Sequence, residues 1–74
     1  MDQATLKMDL ERAERHIKTS EQHVARQRQV VFERQQDGVD ALEAKRLLQL
    51  FEQLLTLHIA ERNRLREELA LEHN

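Results

Sequence analysis

The sequence predicts an all-α protein: a two-helix antiparallel hairpin, coiled-coil-like, that dimerises into a four-helix bundle. Three observations predict it. Apolar residues recur at helical spacing along most of the chain, a single glycine interrupts them near the middle, and proline is absent. Charged residues make up 35% and hydrophobic ones 39% of the 74 positions, with no Trp or Tyr, a profile of long helices rather than sheets. The leucine-rich periodicity argues against disorder, because disordered chains lack the apolar surface needed to offset chain entropy.

Helix one is expected over about residues 3–36, with a legible heptad register. Leu10, Ile17, Val24 and Val31 fall seven apart, and Leu6, Ala13, Ser20 and Gln27 form the second line of the seam. A short repeat underlies it: Arg15-His16-Ile17, Gln22-His23-Val24 and Gln29-Val30-Val31 recur at successive heptads, which is coiled-coil periodicity rather than a solenoid unit. The second line is thin, since Ala13 and Ser20 are small and Gln27 is polar, so it buries little area.

The turn is expected over residues 37–39, where Gly38 can adopt the left-handed conformation that ends a helix. Asp40 then reads as an N-cap, with Glu43 in the reciprocal capping position and Val39 placed to pack on Ala44. One uninterrupted helix is the rival reading, because a lone Gly costs only about 1 kcal/mol inside a helix. A connection this short favours antiparallel neighbours, in which residues whose numbers sum to about 75 lie level.

Helix two is expected over about residues 40–72 and carries more leucine than one partner can cover. Phe51, His58 and Leu65 read as seam positions, with Leu47 and Leu54 on one shoulder, Leu48, Leu55 and Leu69 beside those, and Leu50, Leu57 and Leu71 on the other. Leaving such side chains wet forfeits roughly 1.5 to 3 kcal/mol each, and an apolar patch of that size marks an interaction surface. An oligomer interface is therefore expected at Leu47, Leu48, Leu50, Phe51, Leu54, Leu55, Leu57, His58 and Leu65, joining two copies as a homodimer.

Little in the chain points to chemistry. Thr5, Thr19, Ser20 and Thr56 lie in helical stretches with no loop to shape a pocket, so neither enzyme activity nor a cofactor is expected. Of the four histidines, His16, His23, His58 and His73, the first two share a face but sit roughly 10 Å apart, too far to share one ion. No metal site is expected. His58 stands where the heptad calls for an apolar residue and falls near Ile17 and His16, with a hydrogen bond to a carbonyl or Glu as its simplest role and a pH-sensitive one as the alternative.

Helix one has a modest basic bias in Arg12, Arg15, Lys18, Arg26 and Arg28, which could serve a nucleic-acid-binding regulator. A solvated face with ion pairs such as Glu11–Arg15 and Glu14–Lys18 is the simpler account, because the net charge is −2 and no aromatic is placed for base stacking. The charge excludes a strong field toward nucleic acid or an anionic membrane, and no apolar run approaches a membrane span. With no Cys there is no disulfide or thiolate site; Met1 to Leu10 also lacks the basic start and apolar stretch of a signal peptide, so a soluble cytoplasmic protein is expected.

Ala13-Glu14-Arg15-His16-Ile17, His23-Val24-Ala25-Arg26-Gln27-Arg28, Asp37-Gly38, Leu47-Leu48 with Phe51-Glu52, and His58-Ile59-Ala60-Glu61-Arg62 with Arg64-Leu65 resemble short uncharacterised α-helical hairpin proteins of alphaproteobacteria. The likeness runs from about Met8 to about Leu71; it implies a natural bacterial cytoplasmic protein and adds no mechanism. The architecture is also similar to plasmid copy-number proteins of the RNA-binding hairpin-dimer type, as a likeness of fold without matching motifs. The function expected is non-enzymatic: a homo-oligomeric helical protein presenting a surface to a protein partner.

Overall fold

Apolar heptads on both sides of one glycine fold back on each other. The structure, a computed structural model, describes residues 2–72. Helix α1 spans Gln3–Gln36 and helix α2 spans Leu42–Glu72. They pack side by side as a hairpin of 57 × 14 × 13 Å, and no strand occurs among the described residues.

Each helix end has an identifiable stop. Asp2, in extended conformation, caps α1: its carboxylate accepts the Thr5 N–H at 2.7 Å, and this bond holds its pKa below the ordinary aspartate value. At the other end Gly38 takes φ +69°, the Val39 N–H donates to the Arg34 carbonyl at 2.9 Å and the Gly38 N–H to that of Gln35 at 3.3 Å. This six-to-one and five-to-two pair is a Schellman cap, and it satisfies carbonyls that the helix end would orphan.

The second helix starts at Leu42, slightly later than Asp40. Asp40 Oδ1 accepts the Leu42 N–H at 2.9 Å, and the helical ladder opens with the Lys45 N–H on the Ala41 carbonyl at 2.9 Å. Glu43 does not close a capping box; it pairs with Arg46 at 3.1 Å. Asp40 alone therefore sets the start.

The interface is a heptad seam from both sides. From α1 it takes Leu6, Leu10, Ala13, Ile17, Ser20, Val24, Gln27 and Val31, all buried or half-buried, as the register predicts. Opposite lie Ala41, just before α2, and from α2 Ala44, Leu48, Phe51, Leu55, His58, Arg62, Leu65 and Leu69, at strict three-four spacing. Leu48, Leu55 and Leu69 thus belong to the seam rather than to a shoulder. The line through Phe51, His58 and Leu65 can be completed by residues 48 and 55 or by 47 and 54; all four are leucines, and only the fold chooses.

The packing is uneven along the hairpin. Its tightest part is the open end, where Leu6, Ala13 and Leu65 are buried together with Leu10 and Leu69 against them. Toward the turn the seam narrows to Val31, Ala41, Ala44 and the polar Gln27, whose Nε2 donates to the Ala44 carbonyl at 3.0 Å. A buried amide needs such a partner, and this one ties α1 to α2 in a single register.

Candidate functional site

Six leucines of α2 are left outside by the seam: Leu42 and Leu71 near its ends and four in a stripe along its middle. Leu47, Leu50, Leu54 and Leu57 are 41%, 50%, 41% and 65% exposed. They repeat the spacing of residues 48, 51, 55 and 58 one position earlier, which places them about 100° round the helix from the seam. The helix therefore carries two seams, one filled by α1 and one open. The open stripe is about 15 Å long at the helical rise. Beside it, Val30 and Arg34 of α1, Val39, and Ala44, Leu47 and Leu50 of α2 line a groove that runs toward the turn.

Charged side chains close the stripe at both ends. Glu43, one turn before Leu47, is bound to Arg46. Beyond Leu57 the same line continues as Glu61, Arg64 and Glu68, in which Arg64 bonds Glu61 at 2.6 Å and also Glu68. The Arg64 hydrogen bond lowers the pKa of the Glu61 carboxyl, and the reciprocal bond raises that of the guanidinium. The result is a bounded apolar patch with both charge signs at each rim.

The nine residues expected at an oligomer interface thus divide into two sets. Leu47, Leu50, Leu54 and Leu57 face outward; Leu48, Phe51, Leu55 and His58 are half-buried against α1, and Leu65 is buried there. Adjacent leucines at 47 and 48 and at 54 and 55 merge the two lines in the sequence, and contact with α1 separates them. Phe32 and Leu42, near the turn, remain half exposed.

His58 does lie beside His16, their ring centres 5.2 Å apart, while His23 packs on Phe51 at 5.5 Å. The expected hydrogen bond to a carbonyl or Glu is not formed: among the described residues neither His16 nor His58 has a hydrogen-bond partner. His16, next to the seam residue Ile17, brings a second ring rather than a carbonyl to His58. Among the described residues no three His, Cys, Asp or Glu side chains converge as a metal site, and His73 lies outside them.

The basic residues Arg12, Arg15, Lys18, Arg26 and Arg28 are exposed on the outer side of α1. Arg12 approaches Asp9 at 3.9 Å; among the described residues the other four make no ion pair. The Glu14–Lys18 pair is replaced by a cross-helix one, Glu14 with Arg66 at 3.6 Å, and Glu11–Arg15 does not form. Among the described residues no helix is long and apolar enough to cross a membrane.

Fold and surface together define a helical hairpin with an unfilled second seam. Comparison with known proteins finds no matching family model, no similar curated protein and no similar solved structure.

Proposed function

We propose that this chain is a non-enzymatic helical interaction protein that pairs with a second copy through the outer stripe of α2, and that the resulting four-helix bundle presents its polar faces to a protein partner in the bacterial cytoplasm. The observation behind this reading is the exposure of Leu47, Leu50, Leu54 and Leu57 in a three-four-three array. That spacing reads the same in both directions. A two-fold axis between residues 50 and 54 sets Leu47 level with Leu57 of the other copy and Leu50 with its Leu54, so one patch is self-complementary. At the rims, Arg64 of one copy faces the acidic start of α2 in the other.

Energetics favour pairing. The hairpin's own core includes three buried alanines, and a 74-residue chain without a disulfide has little stability to spare. Covering the exposed part of four leucines on each copy supplies roughly 1 kcal/mol apiece. The test is light scattering of the wild type and of Leu54→Asp, which places a charge at the middle of the stripe. The wild type should have the mass of two chains, and the variant that of one, with a lower melting temperature. A wild-type monomer, or a variant of unchanged mass, rejects the proposal. The exposed Arg15, Lys18, Arg26 and Arg28 support a second reading, nucleic-acid binding, for which salt-sensitive retardation of RNA or DNA is the signature.

A further inference from the structure

We propose that His16 and His58 form a two-imidazole clamp for a divalent transition-metal ion of the zinc, copper or nickel class, bridging α1 and α2 within one chain. Three observations support it. First, the ring centres are 5.2 Å apart. Two imidazoles bound to one tetrahedral ion at Zn–N distances have ring centres about 5 Å apart, which is the separation seen here. Second, neither imidazole is engaged in a hydrogen bond among the described residues, which leaves the ring nitrogens available as ligands. Third, His16 is exposed and lines an open cleft with Asp9, Arg12, Glu61 and Leu65, so the α1 side of the pair is reached from solvent.

Ring packing is the competing account. His23 and Phe51 show a similar separation, 5.5 Å, and tilt without any prospect of shared ligation. What distinguishes the histidine pair is its chemistry: two borderline-soft nitrogen donors on opposite sides of a rigid seam suit these metals and no hard cation. Asp9 and Glu61 pair with Arg12 at 3.9 Å and Arg64 at 2.6 Å, and the proposal assigns the remaining coordination positions to water. Arg12 and the seam residue Arg62 oppose a cation while Asp9 and Glu61 favour it, leaving the local field mixed.

Calorimetric titration of the full chain with zinc, copper or nickel chloride at about pH 7.5 should show saturable binding of one ion per chain. His16→Ala should weaken it by roughly 100-fold or more, whereas His23→Ala should leave it intact. No saturable binding of any of the three ions, or wild-type affinity in His16→Ala, overturns the proposal. Should His16→Ala lose its helical signal, wild-type NMR with substoichiometric copper replaces it. Broadening centred on the rings of His16 and His58 supports the clamp; broadening centred on His23 or His73 overturns it.

Discussion

Gln27 shows how one polar residue in an apolar seam specifies a structure. Its Nε2 reaches the Ala44 carbonyl across the interface, and it is the buried polar residue of the described core. A slip of one heptad would remove that partner and leave the amide buried and unpaired, at a cost of about 1–3 kcal/mol. Replacing the amide donor by a carboxylate should be worse. Gln27→Glu sets a negative charge against a carbonyl oxygen, with an expected loss of about 2–4 kcal/mol at neutral pH by urea denaturation. The sign with pH follows from burial: the folded-state pKa of that Glu is raised, so stability should return as pH falls and the side chain becomes a donor again. A variant whose stability falls steadily on acidification would contradict this.

At the scale of the element, the turn rests on backbone conformation rather than on space. A Cβ at Gly38 would meet nothing within 4 Å, yet φ is +69°, where L side chains are strained. Gly38→Ala should therefore cost about 1–2 kcal/mol without altering the fold, and Gly38→Asn less, as read from urea midpoints at constant m-value. The same glycine was the clearest signal in the sequence. Its Schellman bonds follow from a left-handed residue at the end of thirty-four helical ones, Gln3–Gln36. The later start of α2 was less legible, because Asp40 can cap either of two N–H groups and Glu43 had a nearby competitor in Arg46.

For the whole molecule, the two seams of α2 should answer differently to the same chemistry. Leu65 is 2% exposed inside the hairpin, so Leu65→Ala should lower stability by about 2–5 kcal/mol at any protein concentration. Leu57 is 65% exposed, so Leu57→Ala should leave the stability of the isolated hairpin within about 0.5 kcal/mol while weakening its pairing. Melts across a hundredfold dilution series separate the effects: the first variant shifts all curves equally, the second chiefly the concentrated ones. Equal, concentration-independent shifts would show that the outer stripe has no partner copy.

Residue order by itself determined that this chain forms two long helices, that Gly38 separates them, and which line of α1 is buried. Those outcomes follow from local causes: helix propensity, a left-handed glycine and a heptad repeat with polar residues on its flanks. It also placed His58 beside His16, because a short turn fixes which residues lie level. Tertiary structure alone decided the face of α2. Leu47 and Leu48, and again Leu54 and Leu55, are adjacent leucines pointing about 100° apart, so periodicity offers two equivalent seams. Contact with α1 fills one of them, and the leucines left over form the surface on which the proposed pairing rests.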